Sequence, residues 1–264
     1  MNKFYIHIAL FLLSIFAYAN NEILATEVAP GEDTKNQLRS RYATPEEVYE
    51  KNKHLLYSGR KHKRMTKIMN EAVKQLEYYA TSKDGYEVYA QSPNDSISYY
   101  VKKIDDETSI LKVHLNIYAS SQYNDIINRL WDPNSPDIFN KGTVKVARVY
   151  NPNLLQILQF YKKDSKHYQK YFSAFVSKAE ISKDKTIIAM TSSNTSDKNR
   201  SYIEHENPIL KNTYTFVDFI YSKGHNTNET YKKIYVNLAG YLIEKKGDDL
   251  EITYIESIKG HSSI

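Results

Sequence analysis

The sequence predicts an α+β protein: two N-terminal helices precede one large antiparallel sheet, which a single short helix interrupts. Three observations carry this. Helical spacing of apolar residues ends at "SKDGYEVYAQSPND", where the period falls to two. Strand-like runs then follow one another at hairpin spacing. The chain closes on "YVNLAGYLIEKKGDDLEITYIESIKGHSSI", two alternating runs about a Lys/Gly/Asp turn.

The first helix starts at Thr44-Pro45-Glu46-Glu47, a capping box with proline at the first helical position, and extends to about Leu56. The second starts near Arg60. Its apolar stripe is Met65, Ile68, Met69, Ala72, Val73, Leu76 and Tyr79, so one face packs on something. Strands follow at 86–91, 97–103 and 110–119. In the third, Leu111, Val113, Leu115 and Ile117 alternate with Lys112, His114 and Asn116, the pattern of a half-buried strand. His114 falls on the polar face and reads as a solvated or hydrogen-bonded histidine.

A short helix at 122–130 carries Tyr123, Ile126, Ile127 and Leu130 on one stripe. Asp132-Pro133 ends it, because the residue before proline avoids the helical region. Strands resume at 143–150, 154–162, 170–179 and 185–192, with Asn151-Pro152 as a hairpin turn. A polar excursion, 194–212, precedes a weak strand at 213–220. The closing pair is 232–242, with Ile234, Val236, Leu238, Gly240 and Leu242 on its apolar face, and 250–258. A sheet of eight or nine strands must curl, and a curled sheet leaves a hollow for side chains or a ligand to fill.

A chain of 264 residues suits one or two domains and buries a core without covalent staples. The expected organisation is a signal peptide at 1–19, a flexible linker at 20–43 and one globular domain at 44–264. Lys3, the apolar run "FYIHIALFLLSIFAYA" and the Ala17-Tyr18-Ala19 cleavage pattern support the first. The chain has no cysteine, so it has neither a disulfide framework nor a thiol nucleophile. Sequons stand at Asn94, Asn194, Asn199 and Asn228.

Tyrosine is the compositional exception: 24 Tyr against 9 Phe and 1 Trp. Such rings suit sheet faces, cavity walls and lipid–water margins. Net charge is +5, and part of the excess sits in "RKHKRMTK" at the start of the second helix. That block reads either as a solvated helix turn or as a contact for anionic headgroups. It lacks interleaved aromatics and any nucleic-acid motif, so nucleic-acid binding is not expected. H-E-x-x-H, G-x-S-x-G, the P-loop and G-x-G-x-x-G are all missing, and "HEN" at His205 has no metal-ligand spacing. An enzyme is therefore not expected, nor a cofactor or metal.

"WDPNSPDIFN", "ARVYNPNLL", "KAEISKDKTIIAMTSS" and "NLAGYLIEKK...ITYIESIKGHSSI", with "ATPEEVYEKNKHLL" and "MNEAV", resemble the fam-a proteins of rodent malaria parasites. These are secreted proteins built on a START (StAR-related lipid-transfer) domain. The resemblance implies a helix-grip fold, a curved antiparallel sheet around a C-terminal helix with a lipid between them. It implies binding and transfer of a phospholipid of the phosphatidylcholine class; a monomer is expected. It further implies transient contact with a membrane surface, secretion, and export towards the host erythrocyte. No R-x-L-x-[EDQ] export signal stands near the N-terminus. In the family "GHSSI" leads into the C-terminal lid helix. The sequence stops at Ile264, so either it is a truncated form or the expected fold lacks that lid, and without the lid a lipid is held less tightly. The alternative is an exported, non-enzymatic interaction protein using the same scaffold and its 194–212 loop.

A quaternary ammonium headgroup needs two or three aromatic faces. Tyr161, Tyr171, Phe172, Phe175 and Tyr241 are strand aromatics, and Tyr171 and Phe175 share a face by alternation. START domains often read "DPEYRKKWD" where this chain has Asp132 to Asn140, with Pro136 for the basic residue and Phe139 for the Trp. The nearest strand arginine is Arg148, on the face of Val144, Val146 and Tyr150 by alternation. It is either cavity-facing or edge-exposed and stacked on Tyr150. The expected lipid-binding set is Arg148, Tyr150, Tyr161, Tyr171, Phe175 and Phe139.

Overall fold

A computed structural model describes residues 42–59, 61–92, 96–135, 142–161, 169–192, 194–196, 203–210, 215–216 and 231–260. The expected signal peptide, nearly all of the linker, Arg60 and Phe139 lie outside the described residues.

Helix α1 spans Pro45–Lys51. The Thr44 hydroxyl accepts from the Glu47 amide at 3.2 Å, and the Glu47 carboxylate accepts from the Thr44 amide at 3.0 Å, which completes the predicted box. A 3-10 turn, Lys53–Leu55, follows, then α2, Lys61–Thr81. Strands β1 (Glu87–Gln91), β2 (Ile97–Lys103) and β3 (Ser109–Ile117) precede α3, Tyr123–Trp131. After it come β4 (Gly142–Asn151), β5 (Leu154–Tyr161), β6 (Gln169–Ser182) and β7 (Lys185–Thr191). The excursion contributes β8 (Asn194–Ser196) and β9 (Ile203–His205), which form a small separate sheet with β10 (Thr215–Phe216). Of the predicted strand at 213–220 only β10 is described. Then come β11 (Tyr231–Lys233), β12 (Tyr235–Lys246) and β13 (Asp249–Lys259).

The main sheet runs β1-β2-β3-β13-β12-β7-β6-β5-β4, each neighbour antiparallel, and β11 pairs parallel with β6. It is curved and open, with β1 and β4 as its end strands. The closing hairpin thus lies at the sheet's centre, between β3 and β7. Short loops suffice because most strands sit beside their sequence neighbours.

Both faces of this sheet are buried, by different partners. The stripe of α2 (Met65, Ile68, Met69, Ala72, Leu76) packs on Ile110, Phe175, Ile187, Ala189, Leu238, Leu242 and Ile255. The opposite face carries Leu111, Val113, Leu115, Leu155, Ile188, Ile243 and Ile252 against Val48 of α1 and Tyr123, Ile126, Ile127 and Trp131 of α3. Neighbours such as Ile187 and Ile188 separate cleanly between the two layers, as a period of two requires. The Tyr123 hydroxyl donates to Thr186 Oγ1 at 2.9 Å and pins α3 to β7.

Gly240 lets α2 lie close to the sheet. Its φ is +140°, and a Cβ there would stand 2.0 Å from the Ile188 carbonyl oxygen and 2.8 Å from Leu76 Cδ1. Beyond it, Asn207 anchors the described part of the excursion. Its side-chain amide donates to the Asn237 carbonyl at 2.7 Å and its oxygen accepts from the amides of Ile209 and Leu210. This seats Ile209 and Leu210 in the α2 layer.

Two bulges correct the expected faces. An extra residue in β4 between Val146 and Arg148 reverses the alternation. Val144 and Val146 therefore pair with Gln159 and Ile157, while Arg148 pairs with Gln156 on the opposite face. A bulge between Val236 and Leu238 splits the predicted apolar face of β12 likewise. Leu238 and Leu242 join the α2 layer, while Ile234 and Val236 pack with Ile157, Phe172 and Ala174.

Candidate functional site

Between α3 and the sheet lies a cavity of about 110 Å³. Its sheet wall is Leu155, Ile157 and Gln159 of β5, Val176 of β6, Ile188 and Met190 of β7, Tyr241 of β12 and Tyr254 of β13. Val144 extends the wall to the edge strand β4. The other wall is the end of α3 and its exit: Arg129, Leu130, Trp131, Asp132, Pro133 and Ser135. The wall is mostly apolar because α3 ends here with its stripe turned to the sheet, while Asp132 fixes the exit. One Asp132 oxygen accepts from the Asn134 amide at 2.9 Å and the other from the Ala43 amide at 3.2 Å, so the N-terminal approach and α3 meet at the rim.

The polar groups are few and specific. Arg129 is buried, with its guanidinium carbon 5.7 Å from the centre of the Tyr42 ring. Tyr241 and Tyr254 pack with ring centres 5.1 Å apart, and the Tyr254 hydroxyl donates to the buried Glu256 carboxylate. Trp131 Nε1 and Gln159 Nε2 are buried donors with no hydrogen-bond partner among the described residues. The cavity thus joins three aromatic rings, Trp131, Tyr241 and Tyr254, with one guanidinium. That set suits an apolar or zwitterionic guest, since rings attract a quaternary cation and a guanidinium attracts a phosphate.

The predicted set divides. Phe175, Tyr150, Tyr171 and Arg148 lie on the α2 side of the sheet, not the cavity side. Phe175 and Tyr150 pack in the α2 layer, ring centres 6.1 Å apart, and Tyr57 and His62 each stand 5.7 Å from Tyr150. Arg148 places its guanidinium carbon 5.3 Å over Tyr57 rather than on Tyr150. Tyr171 stacks on Phe160 at 5.8 Å. Tyr161 shares the cavity face, beyond the wall proper, edge-on to Phe172 at 6.0 Å. Phe139 lies outside the described residues. Tyr241 stands in the cavity wall; Arg129, Trp131, Gln159 and Tyr254 join it there without a sequence signal, beyond the adjacency of Trp131 to Asp132-Pro133. His114 is hydrogen-bonded, Nδ1 lying 3.1 Å from Thr253 Oγ1.

Strand order, the α3 interruption and the position of the final hairpin define a helix-grip fold of the START-like type. Among solved structures, human StAR-related lipid transfer protein 5 superposes with a TM-score of 0.50 and 9% identity, over 75% of this chain and 83% of that one. Human STARD10 gives a TM-score of 0.46 and 11% identity over 73% and 68%. The human StarD13 lipid transfer and protein localization domain gives 0.43 and 16% over 78% and 87%. At such identities the likeness is one of fold. No family model and no curated protein matches the sequence. The chain has no cysteine, and the described residues hold no group of three or more metal-binding side chains. The molecule is an α+β scaffold around a cavity.

Proposed function

We propose that the protein binds a phospholipid of the phosphatidylcholine class in the cavity between α3 and the sheet, and carries it between membranes. The observation that carries this reading is the convergence of Trp131, Tyr241, Tyr254 and Arg129 on one mostly apolar hollow in a START-like sheet. A choline cation seeks aromatic faces, and a phosphate seeks a guanidinium. About 110 Å³ compares with the roughly 150 Å³ of an apolar cavity that admits benzene, so it has room for a trimethylammonium group but not for two acyl chains. The tails then need walls that part, or they lie outside. Buried donors left without acceptors cost about 1–3 kcal/mol each, and ester or phosphate oxygens near Trp131 and Gln159 would offset that.

The signal-peptide pattern and the resemblance to fam-a proteins support secretion and export towards a host erythrocyte, as a monomer. The test is transfer of labelled phosphatidylcholine between vesicles at catalytic protein concentration, with mass spectrometry of co-purified lipid. Transfer by the wild type and a several-fold loss in Tyr241→Leu support the reading; no transfer and no bound lipid sink it. The small volume favours a second reading, a scaffold that binds a protein partner, which lipid-free material purified with such a partner would support.

A further inference from the structure

Between Glu50 and Glu71 the chain carries seven Lys and Arg (Lys51, Lys53, Arg60, Lys61, Lys63, Arg64, Lys67) and no Asp or Glu, more charge than its whole net of +5. The fold gives this stretch a particular place. Val48 of α1 packs on the cavity face, and the long helix packs on the other. The residues between must therefore pass around the edge of the sheet. They do so at β4: the Tyr57 amide donates to the Val149 carbonyl at 2.9 Å, and Leu56 bridges to Val149. Covering an edge strand is ordinary; covering it with cations is not. The bulge in β4 turns Arg148 to the same side, over Tyr57, and Lys145 stands exposed two register positions along the strand. Lys63, Arg64 and Lys67 are exposed, and Leu56, on the β4 edge, is 47% exposed. Glu50 meets Lys53 at 3.0 Å, and the remaining carboxylates of α1, Glu46 and Glu47, lie in its first turn, before the strip.

Cations in the first turns of a helix oppose its dipole, so this pattern works against the fold that holds it. Such a conflict marks a functional surface. We propose that the basic strip along the β4 edge (Lys63, Arg64, Lys67, Lys145, Arg148, with Leu56 as an apolar tip) docks the protein on an anionic lipid bilayer. Cations around an exposed aliphatic tip match the charged and apolar layers of a membrane interface. The same edge strand lends Val144 to the cavity wall, so docking brings the cavity to its lipid source. In that last respect the inference rests on the lipid reading of the cavity.

The experiment is co-sedimentation of the full chain with vesicles of phosphatidylcholine alone, or with about 30% phosphatidylserine, at low and high salt. Association is expected with the anionic vesicles only, and salt should weaken it. Neutralising Lys63→Gln, Arg64→Gln and Lys67→Gln together should lower the partition about a hundredfold, roughly fivefold per residue. All three are exposed and oppose the helix dipole, so the melting temperature should hold or rise and the lipid content of the cavity should not move. Equal partition onto neutral vesicles, an unaffected triple variant, or tighter binding to polyuridylate than to vesicles at equal phosphate overturns the proposal. Lipid-free protein that still sediments with anionic vesicles sinks the cavity reading alone; lipid-loaded protein that ignores them sinks the docking surface alone.

Discussion

His205 lies flat on Tyr235, ring centres 4.3 Å apart and planes within 14°. The imidazole is 2% exposed, and neither ring nitrogen has a hydrogen-bond partner among the described residues. Burial, helped by Lys259 and Lys233, pushes its pKa down to about 4 from an ordinary 6.5. The unfolded chain therefore binds this proton first on acidification. The contribution of a neutral His205 to stability is full above pH 6.5 and is lost as the pH falls towards 4. Denaturant midpoints should drop over that window in the wild type and drop less in His205→Phe. Parallel curves for the two proteins would refute the assignment.

Gly240 is the contact point between α2 and the sheet, and substitution tests whether that approach is obligatory. A methyl group there meets backbone, the Ile188 oxygen, and not a flexible tip alone. Gly240→Ala should lower stability by about 1–3 kcal/mol, the usual overpacking range, with added strain from the positive φ. Leu76→Ala, paired with it, should not rescue the loss, because the closer clash is with the strand. A double variant as stable as Leu76→Ala would show that the helix alone sets the constraint.

Lys112 gives a test at the alkaline end. It faces α2, with Nζ 2.6 Å from the Ser82 carbonyl and 3.9 Å over the Tyr86 ring. Burial first, then Lys102 and Lys83, push its pKa down to about 8. From pH 8 upward the folded chain sheds this proton before the unfolded one does, so stability should rise with pH. Above pH 10 Tyr86 works in the opposite sense, because burial holds its phenol protonated and the unfolded chain ionises first. Stability measured across this range should therefore pass through a maximum near pH 10, and Lys112→Met should remove the rising limb. A wild type that only loses stability above pH 8 would count against it.

The order of elements was legible because helical and strand periods differ, and α1, α3 and the closing hairpin stand where the pattern places them. The facing of the strands was not. Alternation tells one face from the other only when one is wet. Here α2 buries one face while α1, α3 and the cavity occupy the other, so Phe175 and Val176 are both apolar and nothing in the string says which meets the guest. Bulges compound this. Val146 and Arg148 are two apart, yet the inserted residue sends them to opposite faces. A bulge leaves no period of its own, so the string left Arg148 open between cavity and edge, whereas Arg129, on a helix, is the arginine in the wall.

The adjacent pair Phe175 and Val176 turns that distinction into a measurement. Phe175 fills the α2 layer beside Tyr150, whereas Val176 lines the cavity. Phe175→Ala should cost about 3–5 kcal/mol of stability, since it empties a packed site. Uptake of phosphatidylcholine per folded molecule should stay within a factor of two or so, because an alanine there touches no guest. Val176→Trp reverses the pattern. The indole projects into a space of about 110 Å³ and occupies most of it, so stability falls modestly, by about 1–3 kcal/mol, while uptake falls at least tenfold. Thermal melts and a fluorescent-lipid binding assay on the same preparations separate the two effects. Should Phe175→Ala lose lipid while Val176→Trp keeps it, the guest lies against α2, and the cavity behind α3 is only an imperfection of packing.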